Sequence, residues 1–333
     1  MTWRRKDLRQ RAMILLRRTD MTDLLTVSRI LKEQDNIDIL THHYPDGDTL
    51  GSAYALCGIL QNMGKNARVI TSGTVAGKYE FLSEGVKKQE FEREFVVSVD
   101  VAAPTLLGEN QQEYENIIDL CIDHHGTNSI EAKVKYVEET SAAASEIIYE
   151  LAKVMDAEIT VPIANGIYTG VSTDTGCFRY TNTTHRSHLI AAEMMASGAD
   201  WQDINTAMFE MKTRAKLELE RMVYRTLEYF FDGRVAVIHT TLEMQEKAGI
   251  GDDEVEGLAS IPRRIEGVLL GITMREKENG VFKISVRSNK GANAAEFCQI
   301  FGGGGHAAAA GCTVEGSLEE VKAKLIEAAE KLI

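Results

Sequence analysis

No stretch of this chain approaches the ~20 consecutive apolar residues that a membrane-crossing helix needs, so a helical membrane protein is excluded on sequence. Cysteine is scarce and no CxxC pair occurs; five cysteines read as reduced intracellular thiols rather than as a disulfide framework, which suggests a cytoplasmic protein. Positive charge is also short. Thirty-seven Lys and Arg against 50 Asp and Glu leave a net charge of −13, which argues against a protein that wraps long duplex nucleic acid. A short oligonucleotide or a mononucleotide stays open, because bound metal ions would reverse the local field. The arginine-rich start, residues 1–20, lacks the apolar run of a secretory signal and the serine enrichment of a transit peptide. It reads as an extension outside the folded body, which is expected to begin at the helical pattern opening with Met21 (Leu24, Leu25, Val27, Ile30, Leu31).

What remains is long enough for two domains of ordinary size, since 333 residues with 44% apolar and 26% charged content suit a globular chain. The stretch Thr41–Ser52, THHYPDGDTLGS, organises the first. Alternating Ile37 and Ile39 before it predict a strand, and Ala53, Leu56, Ile59 and Leu60 after it predict a helix. His42, Asp46 and Asp48 therefore fall in a strand-to-helix turn, where open α/β sheets bind ligands. Further strands are expected at 67–72, at Phe95–Val101 ending near Asp100, and at Asn116–Ile122 ending at Asp123, His124 and His125. Helices are expected over 141–155 and 162–171, the second leading into Asp174. This alternation predicts a doubly wound, mainly parallel α/β sheet.

Taken singly, each of these polar residues has an ordinary reading, a helix cap for an Asp or a hydrogen-bonded core residue for a His. Together, five acids and three imidazoles at the ends of elements pointing one way repel one another unless a cation sits among them. Carboxylate and imidazole donors suit Mn²⁺ or Mg²⁺ better than a thiolate zinc site. Two ions about 3.5–4 Å apart would use the whole set and would suit phosphate-ester hydrolysis.

From Ile204 to Phe230 helical spacing predicts a long connecting helix, residues 201–232, packed on the first domain (21–200). The second domain, 233–333, is expected to be a smaller α/β domain with a mixed sheet. Its strand ending in Val286 puts Arg287, beside Ser288, on the face opposite the apolar one. Gly302–Gly305 and His306 form a glycine-rich stretch whose backbone amides could approach a phosphate.

These motifs resemble a known family. HxxPDGD at His42–Asp48, the Asp100 strand, DHH at Asp123–His125 and TDTG at Thr173–Gly176 resemble the DHH phosphoesterase superfamily. Arg287–Ser288 and GGGGH at Gly302–His306 resemble its DHH-associated C-terminal domain, and the stand-alone nanoRNase/pAp phosphatase branch is the most similar. The resemblance implies two divalent ions, most readily Mn²⁺: one on His42, Asp46 and Asp100, the other on Asp48, Asp100, His124 and Asp174. It implies that Asp123 orients His124, that His125 meets the scissile phosphate or assists proton transfer, and that Arg287, Ser288, Gly303, Gly304, Gly305 and His306 hold the nucleotide. The implied substrates are short oligoribonucleotides and 3′-phosphoadenosine 5′-phosphate (pAp), taken by their ends, with a homodimer possible. A cyclic-di-AMP or pApA phosphodiesterase is the nearest alternative. A family II pyrophosphatase fits poorly with the glycine-rich stretch, and a nucleotide-binding module without catalysis fits poorly with a full ligand set.

Overall fold

A computed structural model of the chain describes residues 23–250, 255 and 257–333. The expected extension 1–20 and the expected start at Met21 lie outside the described residues. The described residues fall into two compact units, divided between Met211 and Lys212.

The first unit opens with helix α1 (Leu24–Glu33), capped by Asp23, whose Oδ1 accepts the Thr26 amide; Val27 and Leu31 are buried. Strands β1 (Ile37–Leu40), β2 (Ala67–Ile70), β3 (Phe95–Val99), β4 (Leu120–Asp123) and β5 (Val134–Val137) make one parallel sheet in the order β2-β1-β3-β4-β5. β1, β3 and β4 are buried along their whole length, as the continuous apolar runs of a covered parallel sheet require. Helices α2 (Gly47–Asn62), α3 (Ala144–Met155), α4 (Val161–Asp174) and α5 (His185–Ala196) follow in the chain. α2 and α4 cross backbone to backbone: a Cβ on Gly166 would lie 2.7 Å from the Gly51 carbonyl oxygen. That close approach sets Asp48, at the start of α2, beside the end of α4.

In the second unit, β6 (Glu228–Phe230), β7 (Val235–Thr240), β8 (Leu270–Glu278), β9 (Val281–Ser288), β10 (Gly304–His306) and β11 (Ala309–Glu315) form a mixed sheet ordered β10-β11-β9-β8-β7-β6. Only β7 and β8 run parallel. Phe282, Ile284 and Val286 face a core closed by helices spanning Ala294–Gln299 and Leu318–Glu330.

The long connecting helix does not form. Trp201–Asn205 is a short α-helix, Thr206–Glu210 a π turn, Met211 is extended, and helix α6 spans Arg214–Tyr224. The reason is packing: Leu219 and Val223 of α6 join Ile238, Leu258 and Ile261 in an apolar cluster, so α6 belongs to the second unit. Helical periodicity alone could not say which sheet the helix would cover. No described helix is long and apolar enough to cross a membrane.

Candidate active site

The parallel sheet delivers its polar residues to one edge. His42 follows β1, and Asp46 caps α2, its Oδ1 accepting the amides of Asp48 and Thr49 at 3.0 and 3.1 Å. Asp48, in the first turn of α2, is buried; its Oδ2 accepts the Ala144 amide at 2.6 Å and its Oδ1 the Ser145 amide at 3.0 Å. A carboxylate thus sits on the amino end of α3, where helix dipole and unpaired amides favour negative charge. Asp100 follows β3 with φ +58°, a left-handed conformation that costs a non-glycine residue energy and persists where surroundings impose it. Asp123 ends β4, His124 and His125 follow, and Asp174 ends α4.

These side chains converge in groups that share Asp100. His42 Nε2 lies 3.7 Å from Asp46 Oδ1 and 3.9 Å from Asp100 Oδ2. His124 Nε2 lies 3.5 Å from Asp100 Oδ1, 3.5 Å from Asp174 Oδ2 and 3.9 Å from Asp48 Oδ2. Such separations are too long for hydrogen bonds but suit donors arranged around one ion at about 2.1 Å. The two oxygens of Asp100 face different groups.

Three observations say that cations belong here. Asp100 Oδ1 is buried and accepts no hydrogen bond, a costly state for a carboxylate oxygen lacking a positive partner. Burial, then repulsion from Asp48 and Asp46, push the Asp100 carboxyl well above the usual range. Burial and Asp48 push Asp174 up to about 7. The all-oxygen and imidazole donor set fits divalent ions: His42, Asp46 and Asp100 form one possible ligand group, and Asp48, His124 and Asp174 another.

Beside these possible ligands the structure departs from expectation at Asp123. Its Oδ1 lies 2.8 Å from Nδ1 of His125 and accepts the His124 amide at 2.8 Å, so it orients the ring of His125. The His124 ring lies instead with Nδ1 3.2 Å from the Ser141 carbonyl oxygen. A main-chain oxygen can orient a ligand histidine as well as a carboxylate can, and sequence cannot show which carbonyl will arrive. Burial works against the Asp123 charge, but hydrogen bonds from His125 and from Asn128 Nδ2, the latter at 2.6 Å from Oδ2, hold its carboxyl below the usual range. The Asp123 bond holds the His125 imidazole above its ordinary value.

Asn128, Ser141 and the Ala144–Ser145 amides are the residues sequence reading missed. Only Asn128 left a signal, a short polar side chain five residues after Asp123. The other partners lie far along the chain from the groups they hold.

In the second unit the expected nucleotide-holding residues occupy one end of the sheet. His306 pairs with Ala309, and Ala309 with Arg287, so His306 and Arg287 share a face. Ser288 turns the other way, is buried, and donates to the Ala307 carbonyl at 2.6 Å, securing the β10–β11 turn. The glycine-rich stretch turns at Gly302 and then forms the outer strand of a β-hairpin over Gly304–His306. A Cβ on Gly303 would overlap the Gly311 carbonyl and Cys312, and Gly305, at φ +142°, lies against Ala309 and Ala310. Hairpin packing thus accounts for these two glycines, while nothing lies within 4 Å of the corresponding position on Gly304.

The profile described as "DHH family, N-terminal domain" matches residues 36–171, and that of the "DHHA1 domain" residues 234–333. The bifunctional oligoribonuclease and PAP phosphatase NrnA of Thermus thermophilus is 31% identical over 313 residues, 91% of this chain and 92% of that protein. The cyclic-di-AMP phosphodiesterase GdpP of Geobacillus thermodenitrificans is 25% identical, over 83% of this chain but 44% of its own length. Among solved structures, an exopolyphosphatase-related protein from Bacteroides fragilis superposes with a TM-score of 0.82 at 26% identity, covering 92% of this chain and 96% of that one. With both domain profiles matched in order and the acid–histidine groups assembled on one sheet edge, this chain belongs to the NrnA-like branch of the DHH superfamily of metal-dependent phosphoesterases.

Proposed function

We propose that the chain hydrolyses short oligoribonucleotides to mononucleotides and pAp to AMP, using two Mn²⁺ ions that would both draw on Asp100 as a ligand. The observation that carries this reading is the division of Asp100: Oδ2 faces His42, while the unpartnered Oδ1 faces His124. His42 and Asp46 would complete one ion's protein ligands, and Asp48, His124 and Asp174 the other's. When bound, the ions would lower the pKa of a water and neutralise charge on the phosphoryl oxygens.

The chain's own groups would do the rest. His125, with Nδ1 on Asp123 and its ring 45% exposed, has its Nε2 left to donate to the phosphate or to protonate the leaving oxygen. The DHH-type unit would carry the chemistry. The second unit would bind the remainder of the nucleotide through Arg287 and His306, an arginine being suited to phosphate. In this reading Ser288 and Gly303–Gly305 hold the hairpin that presents His306. A preference for short RNA and pAp over cyclic-di-AMP is supported by near end-to-end similarity to NrnA, against less than half of GdpP.

The test is product release from pAp, a 5′-labelled RNA dimer and pentamer, pApA, cyclic-di-AMP and pyrophosphate, each with Mn²⁺ and with chelator. Expected is Mn²⁺-dependent mononucleotide from pAp and the oligomers, with cyclic-di-AMP intact. Fast opening of cyclic-di-AMP would move the enzyme to that substrate, and no turnover with metal bound would leave a binding module.

A further inference from the structure

A carboxylate outside the possible ligand groups is buried next to this site. Glu146, in the first turn of α3, has no solvent exposure. Its Oε2 accepts the Ala142 amide at 3.2 Å, its Oε1 accepts the Ser187 hydroxyl at 2.6 Å, and the nearest cationic nitrogen, Arg186 Nε, is 4.0 Å away. A buried carboxylate with so few partners stabilises a fold less than a well-packed apolar side chain would, so packing alone gives no reason for it.

The backbone that Glu146 holds supplies one. The turn at Ser141–Ala143 is buried and leads directly into α3. Its Ser141 carbonyl faces the His124 ring, and the next two amides, of Ala144 and Ser145, hold both oxygens of Asp48. Its Ala142 carbonyl accepts from Asn182 Nδ2, which also donates to the Asp174 carbonyl, each at 3.1 Å. Asp48, His124 and Asp174 form one possible ligand group, and all three are tied to this single turn.

We propose that Glu146 is a positioning residue that clamps the Ser141–Ala143 turn, pre-setting Asp48, His124 and Asp174 for one of the two ions while leaving the His42–Asp46 side alone. This rests on the two-ion reading above. Outer partners of metal ligands typically change affinity about 10- to 100-fold, and here the effect falls on one ion.

The experiment titrates Mn²⁺ into the chelator-treated full chain, reading free ion by electron paramagnetic resonance, with folding checked by circular dichroism. Wild type is expected to bind two ions. Glu146→Ala is expected to keep one ion at wild-type affinity and to bind the other about tenfold or more weakly. Glu146→Gln is expected to restore it, since an amide oxygen can accept from Ala142 while its NH₂ donates to Ser187. Ser187→Ala, which removes one partner of the carboxylate, is expected to weaken the same ion and serves if Glu146→Ala fails to fold. Two ions of unchanged affinity in folded Glu146→Ala or in Ser187→Ala, or an equal loss of both, overturn the proposal. If wild type itself binds no divalent ion, the two-ion reading falls first and takes the clamp with it.

Discussion

Asp123 and His125 are two residues apart, and Oδ1 of the first lies 2.8 Å from Nδ1 of the second. The carboxylate fixes the ring's orientation and raises its proton affinity. Asp123→Asn keeps the shape and removes the charge, so the His125 pKa falls. If protonated His125 serves the leaving group, the alkaline limb of the pH–rate profile moves to lower pH. His125→Ala lowers kcat by about 10²–10⁴-fold, with both ions still bound. An unmoved alkaline limb in Asp123→Asn would show that His125 is not the titrating acid.

In the two-ion reading Asp100, whose oxygens face His42 on one side and His124 on the other, would be a ligand to both ions, so its loss should differ in kind from the loss of His42. Asp100→Asn is expected to weaken both ions and to lower kcat by about a thousandfold, the equivalent of several kcal/mol of lost charge stabilisation. His42→Ala should cost one ion. Mn²⁺ stoichiometry by calorimetry separates the two.

Metal affinity should follow the protonation of Asp174. With its carboxyl at about 7 in the metal-free chain, protons compete with the ion, and Mn²⁺ affinity declines as pH falls below about 7. The sign for stability is opposite. The folded metal-free chain holds a proton that the unfolded chain releases near 3.8, so Asp174 makes it less stable as pH rises from about 4 to 7. The increase in Tm caused by Mn²⁺ should therefore widen across that window. A constant increase would contradict this.

Gly170 lies where a Cβ would meet Asp48 Oδ1 at 2.5 Å and overlap Ser145 Oγ. Gly170→Ala should cost about 1–3 kcal/mol of stability, as overpacking does, and should also weaken the ion that Asp48 would hold. Denaturant unfolding with and without Mn²⁺ measures both effects.

In the second unit, His306→Ala and Arg287→Lys are expected to raise KM for RNA dimers. kcat on a small chromogenic phosphodiester, which has no further nucleotide to hold, should change little. Equal losses on both substrates would return these residues to a structural role.

Most of this was legible where chemistry is local in sequence. The His42–Asp48 turn, the carboxylates at the ends of β3 and β4 and the parallel sheet all follow from short apolar runs ending in acids, and each ends at the sheet edge expected. What was not legible lies in contacts made across the chain. The Ala144 amide meets Asp48 from 96 residues away, and the Ser141 carbonyl meets His124 from 17 away; neither backbone group carries a residue-type signature. The same holds for α6. Its Leu219 and Val223 stripe announced a helix but left its partner unnamed, and tertiary packing assigned it to the second sheet.

The second unit's sheet ends in β6 on one side and β10 on the other, each three residues long. An outermost strand offers unpaired amides and carbonyls to any extended chain that drifts past, and short borders offer few. On β10 the left-handed Gly305 further spoils the flat ribbon that such pairing needs. Both borders of this sheet thus leave little for edge-to-edge pairing, and lengthening either one with β-branched residues should make the chain prone to fibrous association.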